Sequence, residues 1–276
     1  MLANLKDVTQ PALAKGYAVA CFNVFGYEDA LAVVQAAEAR QASVILSINL
    51  DMTQFMPLHS ITGMMRPLAE QAKVPVCLHL DHHYEIATVK EAIKAGFSSV
   101  MFDGSQLPIA DNIAGVAEVV ALAREYNVSV EAEVGSVPYA SGRDHIKSAL
   151  TAVDEAVAMA TNGQPDVLAI SVGNIHRLEN SKVDINYERF EELSAAIDLP
   201  LVIHGTSGVK HEDIQKLAKS NVCKFNIGTV LRQRFGQTIR AELAADPALF
   251  DRLTLMRKAI PEVQAEAEHM IQMLGQ

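Results

Sequence analysis

Eight short apolar runs recur along the chain, each followed by a longer stretch of helical or polar sequence. They fall at about residues 17–23, 43–49, 75–81, 98–103, 128–134, 166–172, 200–204 and 222–227. Most are nearly continuous in Val, Ile, Leu and Ala instead of alternating with polar residues, as parallel strands covered on both faces require. Helical sequence lies at 28–40, 85–95, 111–126, 154–161, 187–197, 211–219 and 229–245. Gly96 stands where it would end the second of these, and Pro67 predicts a break within 57–72. Eight strand–helix units in one chain predict the α/β class and a (β/α)8 barrel of the TIM type. The 276 residues, half of them hydrophobic, suffice for a single domain over 1–276. A helical tail, about 247–276, would pack on the barrel or on a second subunit.

Several function classes are excluded at this stage. A formal net charge of −10 leaves no basic stripe for nucleic acid, although a local basic pocket can still hold a phosphorylated small molecule. The start, from Met1 to Asp7, lacks the pattern of a secretory signal. No uncharged apolar run reaches the ~18 residues of a membrane span. Cys21, Cys77 and Cys223 are widely spaced and lie inside predicted strands, which reads as buried reduced thiols in a cytoplasmic protein.

In such barrels the active site forms at the carboxyl ends of the strands. Here those ends carry Asn23, Asn49, Asp81 with His82, Asp103, Glu131 with Glu133, His176, His204 and Asn226. Three neutral imidazoles on three strand ends, with one position open, predict a catalytic zinc at His82, His176 and His204. Cobalt, nickel and iron suit the same ligands. Asp81 would move protons or orient an imidazole, or else cap the helix beginning near Glu85. Asp103 reads as a turn residue or as a neighbour of the metal. Glu131 and Glu133 share a strand face at i, i+2, and a buried carboxylate pair needs a cation; Glu133 is placed nearer the metal, or at a second one. His79 would face the barrel interior and His83 would support a ligand, whereas His59, His145, His211 and His269 read as loop or solvated residues.

Gly205-Thr206-Ser207-Gly208 and Asn226-Ile227-Gly228-Thr229 end the seventh and eighth strands. Barrels of this type often hold phosphate there, on backbone N–H groups and a helix N-terminus. Gly205 and Gly208 would otherwise serve only tight turns.

With these motifs assembled, the chain resembles the class II (zinc-dependent) fructose-bisphosphate/tagatose-bisphosphate aldolases. The likeness runs from Ala20-Cys21-Phe22-Asn23 to about Phe235. Its strongest portions are Leu78-His79-Leu80-Asp81-His82, the run from Gly96 to Ser105, the run from Ser129 to Gly135, Leu201-Val202-Ile203-His204-Gly205 and Lys224-Phe225-Asn226-Ile227-Gly228-Thr229. The resemblance implies a reversible aldol reaction on a ketose phosphate, with dihydroxyacetone phosphate as the three-carbon donor. It implies Asp81 as acid/base, one zinc on the three histidines, and Asp103 and Glu133 near the metal. Gly205, Thr206, Ser207, Gly228 and Thr229 would cradle the phosphate, with Asn23, Asn49, Asn226 and Arg177 completing the substrate site. A monovalent cation near the phosphate and a homodimer or homotetramer are also implied.

Four positions depart from that family's pattern. Arg177 replaces the glycine after the second zinc histidine; it would offer its backbone N–H, pair with an anion, or fill the site. Asn49 stands where Ser is common, and Val230 where an acidic residue is expected. The loop after Gly135 lacks the usual glycines and acidic pair, leaving Tyr139 or Asp144 to replace the loop carboxylate. The altered rim predicts an acceptor aldehyde other than glyceraldehyde 3-phosphate, either unphosphorylated or acidic. Another zinc-dependent reaction and a non-catalytic sugar-phosphate-binding subunit are the competing readings.

Overall fold

All eight apolar runs form strands. The computed structural model describes residues 1–143, 145–178 and 182–276. A two-residue strand, β1 (Leu2–Ala3), precedes them. The eight are β2 (Val19–Asn23), β3 (Val44–Ile48), β4 (Val76–His83), β5 (Ser99–Phe102), β6 (Ser129–Val134), β7 (Val167–Ile170), β8 (Leu201–Ile203) and β9 (Val222–Ile227). Each pairs in parallel with the next, and β9 returns to β2, so the eight close into a barrel; β1 lies outside it, beside the start of β4.

The helices are α1 (Leu5–Lys15), α2 (Tyr27–Arg40), α3 (Leu50–Phe55), α4 (Leu58–Gln71), α5 (Ile86–Ala95), α6 (Ile109–Glu125), α7 (Val153–Ala158), α8 (Tyr187–Ala196), α9 (His211–Leu217), α10 (Thr229–Ala245) and α11 (Arg252–Met273). A π-turn, Met159–Gly163, prolongs α7. Gly96 ends α5 in the left-handed conformation, as expected. Pro67 does not break the chain: α4 runs through it, and the interruption falls at Met56 and Pro57, before α4. Pro67 and Gly63, whose carbonyl loses the helical bond, are both exposed, which leaves that carbonyl open to solvent. The sequence reading also lacked α1 and α3.

Two apolar cores result. One lies between the strands and the outer helices, with Phe22, Leu46, Leu78, Val100, Val130, Leu168, Ile203 and Phe225 turned outward. The other fills the bottom of the barrel, where Leu5, Val8 and Ala12 of α1 cover Val19, Cys21, Ile45, Cys77, Val167, Ala169, Val202 and Cys223. All three thiols are buried and free there. Because α1 seals the amino ends of the strands, the polar groups higher in the barrel open only toward the carboxyl ends. The tail helix α11 packs against α2 and α10. Among the described residues, no helix is long and apolar enough to cross a membrane.

Candidate active site

The pairing of β4 with β5 slips between Leu80 and His83. Such an irregularity re-aims side chains that would otherwise alternate, and here adjacent Asp81 and His82 both line the same cavity. His82 adopts φ +84, a conformation that costs a non-glycine residue about 1–3 kcal/mol. The backbone is therefore strained at a predicted metal ligand.

His176 follows β7, and His204 directly follows β8. One ring nitrogen from each of His82, His176 and His204 lies within 4.8 Å of the others. Nε2 of His82, Nε2 of His176 and Nδ1 of His204 are buried without a hydrogen-bond partner. Three orphaned imidazole nitrogens converging on one space fit a metal ion, since each would otherwise remain desolvated and unpaired. The opposite nitrogens of two rings are fixed by carboxylates: His82 Nδ1 lies 2.8 Å from Asp103 Oδ2, and His204 Nε2 lies 2.7 Å from Glu131 Oε1. Carboxylates in this position set the tautomer and orientation of a ligating histidine. Glu133 presents an unpaired oxygen 3.3 Å from His204 Nδ1. His82, Asp103 and Glu133 also group within 4.8 Å, but the short His82–Asp103 contact suits a supporting hydrogen bond better than a second metal.

Electrostatics separates the three rings. Burial opposes the charged form of each. It prevails at His176, which it holds well below the usual imidazole range, with help from His82 and His204. At His82 the carboxylates of Asp81 and Asp103 outweigh it and raise the value. At His204 the neighbouring carboxylates of Glu131 and Glu133 outweigh it, raising the value to about 9.

Asp81 accepts a hydrogen bond from Asn226 Nδ2 at 3.0 Å. Burial alone would favour its neutral form, but His82, His204, Lys224 and His79 hold it far below the usual carboxylate range. It is a buried acceptor held in its ionised form beside the predicted metal ligands, not a helix cap; Glu85 is the residue that precedes α5. Beneath it lies Lys224, fully buried, which donates to Glu131 and to Asn226 Oδ1 at 2.6 Å. Lys224 thereby orients the Asn226 amide so that its N–H groups face Asp81. Glu131 is brought down to about 2 despite its burial, chiefly by Lys224 and His204. His79 faces this inner layer as expected, 2.8 Å from Ser99 Oγ. His83 is buried outside the cavity, with Nε2 2.8 Å from Thr53 Oγ1 and Nδ1 2.6 Å from the Asp81 carbonyl.

Asn23, Asn49, Gly205, Ser207, Asn226, Gly228 and Thr229 line the cavity. Gly205 has φ +63, and a Cβ there would stand 2.5 Å from the Ile175 carbonyl. Glycine alone lets the loop after β8 press against the segment bearing His176. Ser207 Oγ donates to Thr229 Oγ1 at 2.7 Å across the two loops. Thr206 is turned away from the cavity, donating to the Asn226 carbonyl at 2.6 Å. Asn49 spends its side-chain oxygen on the amide of Met52, capping α3. The cavity also receives Arg232, from the first turn of α10, stacked over Phe25.

The mouth is crossed by an ion bridge. Asp51, in the first turn of α3, meets Arg143 Nη2 at 3.1 Å and Arg177 Nη2 at 2.6 Å. Both guanidinium groups lie over the Tyr139 ring, which stacks on His176 with centroids 4.4 Å apart. Arg143 also donates to Tyr139 Oη at 3.1 Å and reaches Tyr84 Oη at 3.4 Å. Tyr139 thus touches a predicted metal ligand, while Asp144, the other proposed replacement for a loop carboxylate, lies outside the described residues. Sequence reasoning missed Asp51, Tyr84, Arg143, Lys224 and Arg232. Lys224 was within reach, since its i, i+2 spacing from Asn226 on a strand puts both on one face.

The chain matches the family described as "Fructose-bisphosphate aldolase class-II" over residues 3–276. It is 37% identical over 255 residues to a 6-phospho-5-dehydro-2-deoxy-D-gluconate aldolase of Halalkalibacterium halodurans, covering 91% of this chain and 88% of that protein. It is 38% identical over 251 residues to a fructose-bisphosphate aldolase of Mycoplasma pneumoniae, covering 89% and 86%. Among solved structures, the YdjI aldolase of Escherichia coli K12 superposes with a TM-score of 0.88 at 29% identity, covering 100% of this chain and 98% of that one.

Proposed function

Since the chain belongs to the class II fructose-bisphosphate aldolase family, and is thus an aldolase-type lyase, we propose that it is a zinc-dependent enzyme cleaving and forming a ketose phosphate, with dihydroxyacetone phosphate as the donor. The observation that carries this reading is the convergence of three orphaned imidazole nitrogens beside an ionised, buried Asp81. His82, His176 and His204 would hold the ion, with Asp103 and Glu131 fixing two of the rings and Glu133 close by. A bound metal supplies a Lewis acid for the donor carbonyl. Asp81 takes the proton of the C4 hydroxyl during cleavage and returns it during condensation. Asn226, held by Lys224, keeps Asp81 in place as it does so.

Gly205, Ser207, Gly228 and Thr229 receive the donor phosphate where the two loops meet the N-terminus of α10, with Asn23 beside them. Thr206 serves by tying the loops together, and Arg232 adds positive charge at the same end. Asn49 contributes its free amide N–H groups to the rim. The names of the two curated relatives both describe phosphorylated six-carbon substrates, in keeping with a sugar phosphate here. The reading extends to one barrel domain, a cytoplasmic location, a monovalent cation near the phosphate and a homodimer or homotetramer. In support of self-association, Phe250 and Leu253 stand 92% and 63% exposed where α10 gives way to α11.

The test is incubation of the zinc-loaded protein with dihydroxyacetone phosphate in heavy water, followed by NMR. Loss of the carbon-bound proton that stops on chelation is the expected result. A protein holding one zinc that exchanges nothing overturns the reading for this donor.

A further inference from the structure

Asp51 and Arg177 belong to opposite sides of the barrel. Asp51 follows β3 and Arg177 follows β7, four strands apart around a ring of eight. Their ion pair spans the mouth above the predicted metal position, and Arg143, from the loop after β6, joins it from a third side. The bridge carries two cations and one anion. Arg143, Arg177 and Asp51 are 8%, 27% and 41% exposed, so the cationic side sits deeper than the anionic side. Each guanidinium grips one oxygen of the same carboxylate. Arg143 is also pinned, whereas Arg177 has, besides Asp51, only the Tyr139 ring. Arg143 is held by Tyr139 and Tyr84, and both arginines lie over the Tyr139 ring. The loop beneath them is stitched to the His176 segment by His176 N–H donating to Pro138 O at 2.8 Å and Ala140 N–H to His176 O at 2.9 Å. Nothing pins Asp51 comparably; its carboxylate makes no other hydrogen bond among the described residues.

A pair of guanidiniums closed by a more exposed carboxylate is a site in which one anion can replace another. We infer that Arg143 and Arg177 bind an oxyanion at the far end of the acceptor aldehyde, and that Asp51 holds the pair until the substrate's anion displaces it. This rests on the aldolase reading, which puts the reacting carbons at the metal. The arginines stand over the aromatic ring that stacks on His176. Exchange of carboxylate for carboxylate or phosphate leaves Arg143 paired throughout, so the charge of a nearly buried arginine is never uncovered. The same exchange opens the mouth, because the bridge breaks when Asp51 leaves.

The experiment is condensation of dihydroxyacetone phosphate with succinic semialdehyde, with its methyl ester, and with glyceraldehyde 3-phosphate. Wild-type kcat/KM should favour at least one anionic aldehyde over the ester by about tenfold or more, the worth of a charge-assisted contact. The larger ratio names the anion. R177Q and R177G should shrink that ratio. R177G tests the side chain without threatening the fold, since Arg177 sits at φ +56, where glycine is at ease. D51N should lower KM for the anionic aldehyde more than for the ester. A wild-type ratio near one, or an equal fall on charged and neutral acceptors in R177G, overturns the inference. Donor exchange in heavy water by the wild type separates this failure from failure of the aldolase reading. Should no aldehyde turn over, calorimetric titration with succinate at low salt decides. D51N binding tighter and R177G weaker than wild type supports the clamp, and equal affinities overturn it.

Discussion

His204 sits between two carboxylates, Glu131 at 2.7 Å and Glu133 at 3.3 Å, and they hold it at about 9 although its burial works in the opposite direction. A proton there stabilises the metal-free fold fully below the ordinary imidazole value of 6.5, and that contribution is lost as pH rises to about 9. Metal must displace this proton from the ligand set. Apparent zinc affinity should therefore climb about tenfold per pH unit from neutrality toward 9, then flatten. Chelator-competition titrations at pH 7, 8 and 9 check this, and a level profile would show that His204 binds no proton in the apo protein. The three histidines were legible in the sequence because each closes an apolar run. Their supports were less so. A strand buried on both faces does not alternate, so nothing in the sequence shows that Glu131 faces a lysine on β9 while Glu133 faces the metal position.

At the scale of elements, two local distortions position the predicted ligands: the slip in β4 that turns Asp81 and His82 inward together, and the left-handed Gly205 that admits the His176 segment. Gly205→Ala should cost about 1–3 kcal/mol of stability from the unfavourable φ. It should also weaken zinc binding by about tenfold or more, because the new methyl strikes the backbone next to His176. Thermal unfolding and zinc calorimetry on the same preparation separate the two effects; unaltered zinc affinity would mean the loops adjust independently. Strands and long helices were readable from periodicity and punctuation. The short helix α3 and the irregular loop after β6 were not, and they carry Asp51, Tyr139 and Arg143. Pro67 marks the limit of punctuation itself, since a proline whose freed carbonyl faces water need not end a helix.

Across the whole molecule, the sequence pattern was enough for the barrel because eight strand–helix units have few other ways to bury both faces of their strands. The tail was foreseen as helical and as packing on the barrel or on a second subunit; it packs on α2 and α10 of the barrel. Ile271 of α11 is fully buried in the outer core, and Ile271→Ala should lower unfolding free energy by about 2–5 kcal/mol in urea while zinc affinity holds. A loss below 1 kcal/mol would mean that the tail contributes little to the fold. The sealed floor of the barrel bears on how the mouth can be watched. Burial pushes the thiols of Cys21, Cys77 and Cys223 well above the usual thiol range and closes them to reagents. The folded chain is thus silent toward maleimides, and a single sulfur introduced at the exposed Ser141 would take a fluorophore alone, turning the opening of the Asp51 bridge into a change of light.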